Sequence, residues 1–144
     1  MSEPLYSALG QEISALRACL TEAMPAVRVI EEYEFRQAAA LAVPTLTVGV
    51  QAVRLSERYL SAIAGRADGA ITTAAGLEVD FAVTVHCPIA QGGGYARMLM
   101  TRAADALRYS QTFGFCKLVT GPKGYDRSSR CLRLPIIVTA RYLL

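Results

Sequence analysis

Charge is scarce in this sequence: Asp, Glu, Lys and Arg make up 19% of its 144 residues, against 53% apolar. That balance is more apolar and less charged than an average domain, so it implies either surface buried against other subunits or an enlarged core. The net charge of +3 is too small to mark a nucleic-acid binder, and the only loose basic cluster is Lys117, Lys123, Arg127, Arg130 and Arg133. Lysine itself is nearly missing, since thirteen of the fifteen basic residues are arginine. Arginine suits fixed hydrogen bonding at interfaces, although a GC-rich coding bias produces the same excess. Histidine occurs once, at position 86, and the four cysteines (Cys19, Cys87, Cys116 and Cys131) show no C-x-x-C spacing. A zinc site needs about four ligands, so no metal site is expected. Each cysteine falls in an apolar pattern, which predicts buried free thiols and a cytoplasmic origin. The first twenty residues lack the basic and apolar regions of a secretory signal. The longest uninterrupted apolar run, residues 38–44, is far short of the ~20 residues a membrane span needs, so no membrane association is expected.

What the chain does have is alternation. In residues 77–87 the apolar side chains are Leu77, Val79, Phe81, Val83, Val85 and Cys87, with Glu78, Asp80, Thr84 and His86 between them. Side chains alternate faces along a strand, so one face is buried and the other meets water or a partner. Residues 130–144 repeat the pattern, with Leu132, Leu134, Ile136, Val138, Ala140 and Tyr142 opposite Arg133, Thr139 and Arg141. Residues 5–23 carry Leu5, Leu9, Ile13, Leu16 and Leu20 at helical spacing, opened by Ser2-Glu3-Pro4 and closed by Pro25. A strand over 28–36 follows, with Val27, Val29, Tyr33 and Phe35 inward and Glu31, Glu32 and Glu34 solvated.

The β-branched stretch 44–56 predicts another strand, with Leu46, Val48, Val50 and Ala52 on one face. A short helical turn near 58–63 and an exposed loop over 64–75 come next, the loop being long enough to serve as a contact arm. After Pro88, Gly92-Gly93-Gly94 leads into two or three turns of helix over 95–110, with Tyr95, Leu99, Ala103 and Leu107 inward. A strand over 113–120, a turn at 121–124 and the terminal strand complete the order. The expectation is a single α+β domain over residues 1–144, with a mostly antiparallel or mixed sheet of four to five strands packed on two helices. A chain of this size can bury roughly 68–70% of its unfolded surface without disulfides or metals.

Chemistry is hard to find in these residues. The three glycines before a helix lack the Lys-Ser/Thr ending of a phosphate-binding loop and the spacing of a dinucleotide fingerprint, so they read as a tight turn and no cofactor is expected. His86 and Cys87 are adjacent on a strand and point to opposite faces, which argues against a nucleophile pair. Glu78 and Asp80 share a face two residues apart, a spacing open to general acid and base work and equally produced by any exposed sheet face. No catalytic residue is assigned.

The leading helix, the strand ending in Val85-His86-Cys87-Pro88, the triple-glycine step into a helix, and Gly124-Tyr125-Asp126-Arg127 before a terminal strand together resemble a phage tail terminator. That family, also called tail completion or head-tail joining proteins, belongs to tailed phages and phage-tail-like particles. The resemblance covers residues 5–144 and rests on element order and diffuse motifs. It implies a virion structural protein without enzymatic activity: a homo-oligomeric ring, commonly a hexamer, that caps the head-proximal end of the tail tube and stops its polymerisation. Implied partners are copies of itself, the tail tube protein and a head-tail connector or sheath protein, with DNA only as cargo passing through the lumen. The implied location is the virion tail, after assembly in the host cytoplasm. Arg66 and Asp68 in the loop, with Lys123, Asp126 and Arg127 in the late turn, become candidate ring or tube contacts. A head-tail adaptor or a sheath- or baseplate-associated protein would share these features. A small ligand-binding or hydrolytic enzyme would instead need a pocket around Glu78, Asp80 and His86.

Overall fold

Two long alternating strands form the centre of the sheet. The computed structural model describes residues 3–32, 43–56, 76–110, 114–127 and 130–143. Strand β3 (Gly76–Pro88) pairs antiparallel with β6 (Cys131–Leu143) over their whole length, from Gly76 opposite Leu143 to Pro88 opposite Cys131. Directly opposed residues share a face, so Val79, Phe81, Val83 and Val85 meet Ala140, Val138, Ile136 and Leu134 on one side. All of these are buried, and they make up the middle of the core.

Strand β2 (Thr45–Ser56) adds antiparallel to the other side of β3, and β1 (Arg28–Glu31) adds parallel to β2. Beyond β6 lie β4 (Lys117–Thr120) and β5 (Gly124–Asp126), which share one edge of it. The result is a mixed six-stranded sheet in the order β1-β2-β3-β6-β4, with β5 also on β6. Five of these strands fall on expected segments; β5, three residues long, lies where the sequence suggested a turn running into the terminal strand.

Pro135 accounts for the break between β4 and β5. β4 pairs with Ile136 to Thr139 and β5 with Cys131 to Arg133, leaving Leu134 and Pro135 in the gap. The Pro135 carbonyl accepts a bond from the Gly121 amide at 2.9 Å on this side. The proline nitrogen, which faces the same way, has no hydrogen to offer a neighbouring strand. The chain passes so close here that a Cβ on Gly121 would lie 2.8 Å from Cγ of Pro135.

Helices α1 (Glu3–Ala23) and α2 (Gly93–Arg108) pack against each other and against the same sheet face. Leu9, Leu16 and Leu20 from α1, and Ala96, Leu99, Ala103 and Leu107 from α2, close the core over Phe81. The α+β fold, with a mixed sheet and two helices, is thus as expected.

Several details differ. In β2 the register slips between Val50 and Ala52, so Val50 stands opposite Phe81 while Ala52 stands opposite Asp80. This bulge moves Ala52 off the core face and brings Val53, opposite Val79, onto it. Ile30 in β1 is buried, as is Val27 just before the strand. Helix α2 runs sixteen residues, over four turns, and its inward stripe begins at Ala96. Tyr95 remains partly exposed. Of the cysteines, Cys87 and Cys131 are buried and Cys19 is half-buried, but Cys116 is exposed, just before β4 at the edge of the sheet. All four are free thiols. The strand expected over 33–36, the turn near 58–63 and the loop over 64–75 lie outside the described residues.

Candidate interaction surface

The other face of the sheet, helix-free among the described residues, carries the polar side chains that alternate with the core. At one end, β2, β3, β6 and β4 present Arg54, Glu78, Asp80, Thr139, Arg141 and Lys117 around a shallow groove of about 630 Å³. Val119 and Ile137 supply apolar wall, and Cys116 closes one side. The bulge in β2 is what brings Arg54 to this face, opposite Glu78.

The charges form a connected ladder across three strands. Arg54 donates to both Asp80 oxygens, at 2.5 and 3.0 Å, and more weakly to Glu78 at 3.4 Å. Arg141 Nε donates to the other Glu78 oxygen at 3.2 Å, and the Thr139 hydroxyl donates to Asp80 at 2.7 Å. The bonds from Arg54 hold the Asp80 carboxyl below the usual carboxylate range; burial opposes this, while Thr139 and the charge of Lys117 reinforce it. Arg54 is in turn held more firmly protonated by Asp80. Asp80 is therefore ionised at neutral pH with little basicity for proton transfer, and both acids are occupied by cations, an arrangement that stiffens the face.

His86 lies at the other end of the same face. Six residues of strand separate it from Asp80, about 20 Å, so the three residues of the enzyme reading do not converge. The sequence pattern places this imidazole toward water, but it is buried, together with Thr45 and Thr47. Its Nε2 lies 3.0 Å from the Thr47 hydroxyl. Burial pushes its pKa down to about 4, helped by the positive charge of Arg133 and opposed by Asp126. It is neutral at pH 7 and acts as a packing and hydrogen-bonding group.

The five candidate contact residues divide between these regions and the undescribed part. Arg66 and Asp68 lie outside the described residues. Lys123 is exposed just before β5, and Arg127 is exposed just after it. Asp126, half-buried at the end of β5, stands opposite Cys131 and joins Arg133 in the field around His86. These three thus share the β5 side of the sheet and are separate from the Arg54–Asp80 ladder. Arg54 and Arg141, the cations of the ladder, were not among the site residues expected from the sequence. Arg141 was signalled by its place on the polar face of the terminal strand, whereas the parity of Arg54 pointed it inward until the bulge reversed it.

Among the described residues no three Cys, His, Asp or Glu side chains converge as a metal site, and no helix is long and apolar enough to cross a membrane. No protein-family model matches the chain, and no curated protein matches it in sequence.

Proposed function

We propose that this protein is a structural subunit of the tail terminator kind, acting as a ring that caps the head-proximal end of a tail tube, stops its polymerisation and joins it to the head connector. The observation that carries the reading is one-sidedness: among the described residues, two helices pack on one face of a six-stranded sheet, none packs on the other, and neither outermost strand has a further strand beside it. A ring subunit needs two kinds of contact, one to its neighbours and one to the tube, and head-to-tail contacts with a closing rotation generate rings. The element order also follows the resemblance, with a helix, a β2–β3 pair running out to residues 57–75, a glycine-led helix and a terminal strand. The ion-paired acids of the open face favour a rigid contact surface over a reactive one.

The test is assembly. Sedimentation velocity and negative-stain imaging of the purified protein are expected to show a closed ring, and mixing it with tail-tube fragments is expected to place that ring at tube ends and halt elongation. A monomer at high concentration that leaves tube growth unchanged would overturn the reading. Rings that bind a portal in preference to the tube would reassign the protein as a head-tail adaptor.

A further inference from the structure

The sheet ends in two short strands of equal length. β1 forms one edge and β4 the other, four residues each, and among the described residues neither pairs with a strand on its outer side. A bare strand edge is a template for another chain, and natural proteins either blunt it or use it.

The two edges run in opposite directions. β1 is parallel to β2, while β2 and β3, β3 and β6, and β6 and β4 are antiparallel pairs, so β4 runs against β1. Consider a second copy beside the first, its helices on the same side, related by rotation about an axis along the strands. Its β1 then meets the first copy's β4 antiparallel, the more stable of the two pairings.

Charge selects the same orientation. β1 starts at exposed Arg28 and ends at Glu31, followed by exposed Glu32. β4 starts at exposed Lys117 and ends at exposed Thr120. Antiparallel apposition sets Lys117 at the Glu31–Glu32 end and Thr120 near Arg28, whereas parallel apposition would set Lys117 against Arg28. The faces agree as well. Val119 stands opposite Ile137 on the helix-free face and is 45% exposed. An antiparallel neighbour along this edge would cover it, while Ile30, opposite Thr47 on the same face of β1, is already buried within its own chain.

From these relations we infer that β4 of one copy pairs antiparallel with β1 of the next, so that the sheet continues from subunit to subunit around the ring. This rests on the ring reading above and names the surfaces that would make it. The occupant of each edge is a second copy of this chain, and its charge contact is Lys117 with Glu32, whose carboxylate lies over Gly49 in the single chain and turns outward to meet the lysine.

Charge reversal and cross-linking test it. Lys117→Glu alone and Glu32→Lys alone are each expected to weaken association by about tenfold in sedimentation velocity, and the double variant to return it to about the wild-type level. Glu32→Cys, oxidised with copper phenanthroline, is expected to give a ladder of oligomers through native Cys116 on a non-reducing gel. The ladder should vanish when Cys116→Ser is added. Cys116 and Glu32 belong to opposite edges of one sheet, so a link between them joins two chains. Circular dichroism melts confirm that each variant is folded. Wild-type rings with neither charge rescue nor a Cys116-dependent ladder would overturn the edge pairing while leaving the ring intact. A wild-type protein that stays monomeric would overturn both.

Discussion

Arg54 holds Asp80 with two hydrogen bonds although Asp80 is not the residue opposite it. The register places Glu78 there and Ala52 across from Asp80, so the guanidinium reaches diagonally along β3. The bond geometry predicts that Arg54→Met lets the Asp80 carboxyl titrate closer to the ordinary range, because the largest cause of its lowered pKa is removed. A carbon-detected NMR titration of Asp80 reads this directly. A titration unchanged by the substitution would mean that Thr139 and Lys117 suffice to hold the carboxylate.

His86 gives the fold an acid limit. Its pKa in the folded state, about 4, lies below the ordinary value of 6.5, so the folded chain binds fewer protons than the unfolded one between those values. Stability is complete above pH 6.5 and falls as the pH drops toward 4, by up to about 3 kcal/mol from this group. His86→Gln is expected to flatten urea-denaturation midpoints across pH 6.5–4 compared with wild type. Asp80 contributes in the same direction but lower in pH, since its carboxyl is held below the usual range. Glu12 has the opposite sign: burial raises its pKa despite the bond to Tyr142, so its contribution is lost as the pH rises through the folded value.

The three consecutive glycines are not equivalent. Gly92 has φ of +87° at the cap of α2, a conformation that side chains rarely adopt, while a Cβ on Gly93 or Gly94 would meet nothing within 4 Å. Gly92→Ala is expected to cost about 1–3 kcal/mol in chemical denaturation. Gly93→Ala and Gly94→Ala should be neutral or stabilising by up to about 1 kcal/mol, because alanine favours the helix. Equal losses at all three positions would point to contacts made by the loop itself.

Among the described residues Phe81 is the largest fully buried side chain, at the centre of β3 beneath both helices. Phe81→Ala is expected to destabilise by about 3–5 kcal/mol, read as a lower denaturant midpoint, through lost burial and the cavity left behind. Val119→Ala, on an exposed edge, should leave the monomer within about 0.5 kcal/mol of wild type.

The parts of this fold that were legible in the sequence are those where one physical pattern runs long enough to dominate. β3 and β6 alternate without interruption, and α1 repeats leucine at helical spacing, so their buried faces were assigned correctly. β2 broke the rule at Gln51, because a bulge inserts one residue and the apolar positions after it change face. β5 is too short to show a period, and its existence depends on β6 being there to receive it. In α2 the stripe begins one residue later than Tyr95 suggested, since alanine at 96 fits the close approach that a tyrosine would block. The candidate surface was half visible: Glu78 and Asp80 could be read as a pair, but their cations lie 24 to 63 residues away and meet them only through strand pairing. His86 illustrates the converse, because polarity at an outward position predicts exposure and tertiary structure buried it.

Strands β2 and β3 close on one another at Ser56 opposite Gly76, so the segment that joins them is anchored at the end of the sheet that carries Arg54, Glu78 and Arg141. A pull on that segment would act along the two strands from which it emerges. Hydrogen bonds in the ladders to either side lie across that direction and would share the load side by side in shear, instead of opening one after another like a zip. Mechanically, the pair behaves as a bracket set deep in the sheet, and the Arg54–Asp80 and Arg141–Glu78 bonds act as cross-ties at its root.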